Sequence, residues 1–307
     1  MYKRRPFPMV LWFCLLAGLV LTSIPLVSVA QLAPQAAPAK GSFSFASIDF
    51  PGAVRTRALG LNDLGDIVGD YIDSSGVRHG YLLSHGNYTT VDVPGSTQTR
   101  ALAINNPGTI GGRFNDSNGT AHSYLLKKGV FTFIDVPGAI GTIMQGMNDL
   151  DQVVGTYIDS AGNFHGFLLS GGNFTTIDVP GAAQGTVAGV INDRGQITGN
   201  YADAAGNTHG FLLSGGNFTT FDFPGALDTT AGSGITPGGG EIVGFYDDNN
   251  GNFHGFTLIA GNFNTVDFPG SFLTEAVKVN GAGQMVGFYN LSGQHGFLAT
   301  PSLIGQP

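Results

Sequence analysis

Five histidines each stand thirteen residues before an aspartate, and this fixed spacing is the first pattern in the chain that could carry chemistry. A histidine beside an aspartate could be two members of a Ser-His-Asp triad, two ligands of a metal site, or a structural ion pair. The five pairs are His79–Asp92, His122–Asp135, His165–Asp178, His209–Asp222 and His254–Asp267. His295 has no aspartate after it, and Asp49 has no histidine before it.

The sequence around the pairs favours the structural role. The segment HGFLLSGGNFTTID (165–178) reads as two strands joined by the two-residue turn Gly171-Gly172. This register places His165 opposite Asp178, with their Cβ atoms roughly 5 Å apart. No serine or cysteine accompanies the pairs at a fixed spacing, and one histidine with one aspartate gives too few metal ligands. We therefore interpret the pairs as braces between neighbouring strands.

The pairs belong to a repeated unit. The tetrad D-x-P-G recurs every 43 to 45 residues, beginning at Asp49 and ending at Asp267. In the third unit the runs TIMQGMN, QVVGTY, HGFLLS and NFTTIDV are rich in β-branched and aromatic residues, and turn sequences separate them. Four short antiparallel strands in about 43 residues are the size of a β-propeller blade.

The two ends of the repeat complement each other. The last unit stops after HGFLAT without its fourth strand, whereas an extra copy, FASIDFPG, precedes the first unit. We therefore predict an all-β, six-bladed β-propeller of four-stranded antiparallel blades. The N-terminal strand (residues 45–50) completes the last blade and sets His295 against Asp49. Ala58 and Gly60 are expected on one face of an innermost strand, where strands converge on a channel.

The repeats resemble those of the HAF-repeat family of predicted extracellular bacterial proteins. The family pattern of H-[AG]-F followed by I-N-x-x-G-x-I-V-G is matched by HGFLLSGGNFTTIDVPGAAQGTVAGVINDRGQITG and its relatives, over about residues 45–300. The resemblance implies an extracellular location and a propeller-like fold, and it brings no catalytic residues. Two units depart from the pattern, with HSY at 122–124 and ITPGGGEIVG at 235–244.

The N-terminus predicts export. MYKRR precedes an apolar run, and small residues precede a cut after Ala30, which is typical of a signal peptide; the alternative is a retained membrane anchor. The expected divisions are a signal peptide (1–30), an Ala/Pro-rich linker (31–42), the propeller (43–300) and a C-terminal tail (301–307). Cleavage removes Cys14, the one cysteine, and takes the net charge from −8 to −11 by removing three cations. Without a later basic cluster, nucleic-acid binding is not expected.

Aspartates in the turns of the D-x-x-G-x-x-H motif raise the question of calcium. These are Asp73, Asp116, Asp159, Asp203 and Asp248. The turns lack the alternating ligands and final glutamate of a calcium loop, so we expect each aspartate to cap its own turn. No cofactor is predicted, with calcium as the weakly supported alternative.

Charged residues that break the repeat mark the candidate binding site. Arg57, Arg100, Glu275 and Lys278 are expected near the start of innermost strands, at the channel mouth, where they could hold an anionic or sugar ligand. We expect a secreted, monomeric, non-enzymatic module that binds a glycan or a protein at the cell surface and does not contact the membrane after cleavage. The alternative is an extracellular hydrolase or lyase with a single site at the channel mouth.

Overall fold

The computed structural model describes residues 30–31, 42–227 and 230–302, and every regular element in this part of the chain is a β-strand. Within these ranges, no helix is long and apolar enough to cross a membrane. The predicted signal peptide lies outside the described residues except for Ala30. The same is true of the linker except for Gln31 and Ser42, and of the tail beyond residue 302.

Four sheets each contain four strands that follow one another in the chain, every strand antiparallel to the next. The first holds β3 (Arg55–Leu61), β4 (Ile67–Ile72), β5 (Arg78–Ser84) and β6 (Asn87–Val91). The second holds β7 (Gln98–Ile104), β8 (Ile110–Asn115), β9 (Ala121–Lys127) and β10 (Val130–Ile134). The third holds β11 (Gly141–Met147), β12 (Val153–Ile158), β13 (Phe164–Ser170) and β14 (Asn173–Ile177). The fourth holds β15 (Thr186–Ile191), β16 (Ile197–Ala202), β17 (Thr208–Ser214) and β18 (Asn217–Phe221), with the short β1 (Ala30–Gln31) parallel to β18.

The remaining eight strands form one sheet made of two four-stranded antiparallel groups. The first group is β19 (Thr230–Ile235), β20 (Glu241–Asp247), β21 (Phe253–Ile259) and β22 (Asn262–Val266). The second group is β23 (Leu273–Val279), β24 (Met285–Asn290), β25 (Gln294–Pro301) and β2 (Phe43–Ile48). A single parallel pair, Phe253 with Leu273, joins the groups. The predicted all-β propeller with four-stranded antiparallel blades is thus confirmed.

Each innermost strand carries a β-bulge that the sequence pattern did not reveal. In β3, Ala58 pairs with Gly69 and Gly60 pairs with Val68, so Leu59 is an extra residue. Consecutive residues of β4 point to opposite faces, and Ala58 and Gly60 therefore do so as well. The expectation that they share one face is wrong for this reason. The same shift occurs in β7, β11, β15, β19 and β23.

The hydrophobic core lies between adjacent blades. The aromatic residue two positions after each paired histidine is fully buried; these residues are Tyr81, Tyr124, Phe167, Phe211, Phe256 and Phe297. One cluster packs Val68 and Val91 of the first blade against Ala101 and Phe114 of the second. Burying a large apolar side chain is worth about 1.5–3 kcal/mol, so these contacts hold the blades side by side.

A buried threonine near the start of each innermost strand fixes the D-x-P-G turn before it. In the third blade, the backbone N–H of Val136 donates to Thr142 Oγ1 at 2.9 Å. The same bond recurs at Thr56, Thr99, Thr186, Thr230 and Thr274. The threonine therefore fixes the position, along the channel axis, of the residue that follows it.

Candidate functional site

The structure brings together all six predicted His–Asp pairs, each between a third strand and the residue that follows the outer strand. His165 Nδ1 lies 2.9 Å from Asp178 Oδ2, and Ser170 pairs with Asn173 as the turn register requires. The other separations are 2.7 Å for His79–Asp92, 3.0 Å for His122–Asp135, 2.8 Å for His209–Asp222, 2.8 Å for His254–Asp267 and 2.7 Å for His295–Asp49.

The second ring nitrogen of most of these histidines is also engaged. His165 Nε2 lies 3.4 Å from Asp159 Oδ2, and its ring stacks on Tyr157 with centroids 5.1 Å apart. Burial acts to lower the pKa of His165, but the hydrogen bonds and charges of Asp178 and Asp159 outweigh it and hold the pKa above its ordinary value. An imidazole held in this way has no free nitrogen to accept a proton from a nucleophile.

The turn aspartates direct their oxygens at their own turns. Asp159 Oδ1 accepts the backbone N–H groups of Ala161 and Asn163 at 2.9 and 2.8 Å, and Oδ2 accepts the Asn163 side chain at 2.9 Å. These bonds, with the Asn163 side chain contributing most, lower the pKa of Asp159 to about 2. Among the described residues, no group of three or more His, Cys, Asp or Glu side chains is arranged to hold a metal ion.

Three of the four charged candidates occupy one level of the channel. Arg57, Arg100 and Glu275 each follow the buried threonine of their innermost strand, on the side of the ring that carries the D-x-P-G turns. The other described blades have Ile143, Val187 and Ala231 at this position. Lys278 does not lie with them. It is the sixth of seven residues in β23, toward the N-D turns at the opposite end, because that strand crosses the whole depth of the ring.

An arginine cluster surrounds one buried carboxylate at this level. Asp70 of β4 is 1% exposed, and its Oδ1 accepts Arg57 Nε at 2.9 Å and Arg78 Nη1 at 3.0 Å. Arg100 Nε, from the neighbouring blade, lies 3.6 Å from Asp70 Oδ2 and has no hydrogen-bond partner. Arg113 pairs with Arg100 across the β7–β8 ladder. Three guanidinium groups thus lie within 3.6 Å of a single aspartate, and a fourth arginine, Arg113, adjoins Arg100.

Sequence reasoning missed Asp70, Arg78 and Arg113. The sequence pattern could have revealed two of them. Asp70 and Arg113 occupy the variable position directly before the aromatic residue of the I/V-x-G-x-[YF] motif. The other blades have Thr156, Asn200, Phe245 and Phe288 at that position. A charged residue at a variable position next to the innermost strand is therefore the pattern that would have extended the candidate site.

The electrostatics of the cluster leave positive charge without a partner. Burial acts to raise the pKa of Asp70, but Arg57 and its neighbours outweigh it and lower the pKa to about 2. Burial, followed by repulsion from Arg113, acts to lower the pKa of Arg100, and burial acts to lower that of Arg113. Because a guanidinium group keeps its proton in proteins, this disfavoured charge persists as positive potential that a bound anion would relieve.

Glu275 and an aromatic ring border the cluster. Arg57 Cζ lies 5.3 Å from the ring centroid of Phe288, which pairs with Glu275 across the β23–β24 ladder. Burial raises the pKa of Glu275 to about 7, although the positive charge of Arg57 opposes this. Glu275 therefore changes its charge in the physiological range and alters the potential next to Arg57 when it does so.

A cavity of about 410 Å³ opens beside the cluster, between the second and third blades. Arg113 lines it together with the amides of Gln98, Asn115 and Asn118 and the apolar side chains of Ile140 and Ile158. The volume lies within the usual range of about 300–1,000 Å³ for small-molecule sites, and a mixed apolar and amide lining is typical of them. Arg113 links this cavity to the positive potential of the cluster.

Comparisons with known proteins identify the fold. No family model matches the chain, and no curated protein matches it. It aligns with TolB from Acinetobacter baumannii at a TM-score of 0.53 and 16% identity, over 68% of this chain and 54% of that chain, about half of its length. It aligns with AofleA from Arthrobotrys oligospora at a TM-score of 0.53 and 12% identity, over 91% of this chain and 98% of that chain. The Aleuria aurantia lectin, in complex with Fucalpha1-6GlcNAc, aligns at 0.48 and 11% identity, over 82% and 97% of the two chains.

The fold and the site together define a class. The similarity to TolB and to AofleA extends to the fold alone, since the sequence identity is low. The chain is a β-propeller whose repeated positions build the blades, and most of its unrepeated charged positions gather at one end of the channel, with Lys278 at the other end.

Proposed function

We propose that the protein is a secreted, non-enzymatic binding module that takes an acidic glycan at the arginine cluster. The observation that carries the proposal is that Arg57, Arg78 and Arg100 surround Asp70, with Arg113 beside Arg100, in a chain of net charge −8. A cluster that served packing alone would be expected to balance its charges. Arginine binds carboxylates through two parallel N–H bonds, which suits the acid group of a uronate.

The adjoining cavity supports a sugar as the rest of the ligand. The amides of Gln98, Asn115 and Asn118 offer donors and acceptors for hydroxyl groups, and Ile140 and Ile158 offer an apolar surface for a ring face. A protein partner is less favoured, since a standard protein interface needs a broad complementary patch of about 800 Å² on each side. A cavity of about 410 Å³ fits a sugar better.

The ring in this proposal has six blades, the last completed by β2. Three contacts support that count. The eight-stranded sheet is joined by the single pair Phe253–Leu273, β2 is antiparallel to β25, and Asn280 Nδ2 donates to the carbonyl of Asn62 at 3.3 Å. Export, a monomeric state and HAF-type repeats stay proposals that rest on the sequence of residues 1–30 and of the repeats.

The test is the affinity of purified protein for short oligogalacturonates, measured by isothermal titration calorimetry beside neutral cello-oligosaccharides. Arg113→Gln should weaken oligogalacturonate binding about tenfold or more, because it removes a charge-assisted hydrogen bond. Arg194→Gln is the matched control, since it makes the same charge change on an exposed N-D turn. The proposal fails if no acidic saccharide binds, or if both variants bind as the unmodified protein does.

The hydrolase or lyase alternative has a separate readout in the same experiment. Glycosidases generally need two carboxyl groups flanking the scissile bond, and Asp70 is covered by guanidinium groups while Glu275 lies beside Arg57. The saccharide should be recovered intact after prolonged incubation. Shortened or unsaturated products would overturn the non-enzymatic proposal.

A further inference from the structure

A second cavity, of about 80 Å³, lies at the opposite end of the channel, where the N-D turns meet. Leu61, Ile104, Met147 and Val279 give its wall an apolar part, asparagines of the N-D turns such as Asn62 and Asn105 give it a polar part, and Lys278 is the cationic residue among those that line it. This volume holds about five to eight water-sized groups, enough for a charged head and a short hydrocarbon chain.

Lys278 enters this cavity without a carboxylate partner among the described residues. Its Nζ lies 3.4 Å from the backbone carbonyls of Gln145 in β11 and Ser233 in β19, and both contacts are long for hydrogen bonds. Burial lowers the pKa of Lys278 to about 7, and no neighbouring acid counteracts it. The amine would therefore gain from an anion placed in the cavity.

Packing does not require a lysine here. The equivalent residues of the other innermost strands are small or short, namely Gly60, Ala103, Gly146, Val190 and Gly234. A Cβ at Gly60 would lie 3.0 Å from Ala103 Cα, so neighbouring strands approach closely at this level. Lys278 departs from that rule, and its side chain crosses to the carbonyl of a strand that is not adjacent in the chain.

The rim of the cavity restricts the charge of a ligand. The rim carries three aspartates, Asp63, Asp149 and Asp193. Their carboxylates accept backbone N–H groups from neighbouring turns. For example, Asp193 Oδ1 accepts the backbone N–H of Asp149 at 2.9 Å. Three carboxylates at the entrance repel a multiply charged anion more than a monoanion. Glu275, on the same strand as Lys278, belongs to the other end of the channel.

We propose that this cavity binds a short-chain monocarboxylate, with its carboxylate on Lys278 and its alkyl chain against the apolar part of the wall. The site is independent of the arginine cluster, because the two lie at opposite ends of the innermost strands. The carboxylates of the rim exclude dianions. Each added methylene should increase the affinity by burial against the apolar residues, until the chain fills the cavity.

Calorimetry with propionate tests the proposal. The controls are propionamide, an uncharged molecule of the same size, and malonate, which carries a second carboxylate in place of the methyl group. Propionate should bind, and both controls should bind at least about tenfold more weakly. Lys278→Met should lose about tenfold or more in propionate affinity, whereas Lys128→Met, on an exposed turn, should lose none. Arg113→Gln should keep propionate binding, which separates failure here from failure of the glycan proposal.

A measurement on the unmodified protein covers the case in which Lys278→Met does not fold. Cyanate carbamylates neutral amines, and peptide mass spectrometry reports the rate at each lysine. Propionate should slow the reaction at Lys278 and leave Lys128 unchanged. Equal binding of propionate and propionamide, no binding of propionate, or no protection of Lys278 would each overturn the proposal.

Discussion

At the scale of single residues, each paired histidine connects three segments of its blade. His209 on β17 reaches Asp222 after β18 at 2.8 Å and Asp203 in the preceding turn at 3.4 Å. Its ring packs on Tyr201 of β16 with centroids 5.1 Å apart. One side chain therefore ties together the turn, the second strand and the end of the outer strand, where ladder bonds have already ended.

Replacing His209 with alanine should lower the free energy of unfolding by about 1–2 kcal/mol. The reason is the loss of hydrogen bonds to charged carboxylates and of the contact with Tyr201. Urea unfolding followed by fluorescence measures the change. His85→Ala is the control, because His85 lies in an exposed turn and contacts Ser84. If His209→Ala kept full stability and lost ligand affinity, the structural interpretation of the pairs would be wrong.

Glu275 predicts how ligand affinity depends on pH. Its pKa is raised to about 7, so it is mostly neutral at pH 6 and mostly ionised at pH 8. Ionisation adds a negative charge beside Arg57 and reduces the potential that attracts an anion. Affinity for oligogalacturonate should therefore fall about three- to tenfold between pH 6 and pH 8.

Glu275→Gln isolates this effect, since glutamine has the shape of the neutral acid. The variant should bind at pH 8 about as tightly as the unmodified protein does at pH 6. Lys278→Met should retain the pH dependence, although Lys278 also titrates near pH 7, because it lies at the other end of the channel. An unchanged pH profile in Glu275→Gln would show that another group governs binding.

At the scale of strands and turns, features set by local sequence were predictable. The turn Gly171-Gly172 fixes which residues of β13 and β14 face each other, and the His165–Asp178 contact follows from that register. The missing fourth strand of the last unit likewise predicted a partner from the N-terminus, and β2 pairs with β25. In each case a spacing within the sequence determines the geometry.

Features that depend on irregular strand pairing or on contacts between blades could not be predicted. The bulge at Leu59 leaves no sign in a pattern of alternating residues, because it is defined by the partner strand. Arg100 meets Asp70 only because β7 packs beside β3 and β4, so neither residue reveals the cluster in its own repeat. The sequence did identify Arg57, Arg100 and Glu275 as departures from the repeat, but not Asp70, the shared partner of the two arginines.

At the scale of the whole molecule, contacts between distant segments join the first and last units of the chain. Asparagines of the N-D turns link neighbouring blades, as when Asn105 Nδ2 donates to the carbonyl of Asn148 at 3.2 Å. The same link joins Asn280 to Asn62, which are 218 positions apart. β2 adds the outermost strand beside β25, where Phe45 lies 5.7 Å from Phe297 between ring centroids. In the proposed ring, closure therefore uses the N-terminal strand, the turn contacts of Asn280 and Gly281 with Asn62 and Asp63, and the packing of Val286 against Ala58.

Deleting residues 1–50 should destabilise the propeller by about 3–5 kcal/mol. The deletion removes the ladder with β25, the buried side chain of Ile48 and the Asp49 partner of His295. The truncated protein should also associate with itself, because β25 becomes a free edge. The control is a circular permutant that carries residues 42–54 after residue 302 through a glycine-serine linker, since it restores the same strand from the other terminus.

Thermal unfolding and analytical ultracentrifugation should show a monomer of normal stability for the permutant and not for the truncation. Equal melting temperatures for the truncated and full-length chains would mean that β2 does not close the ring.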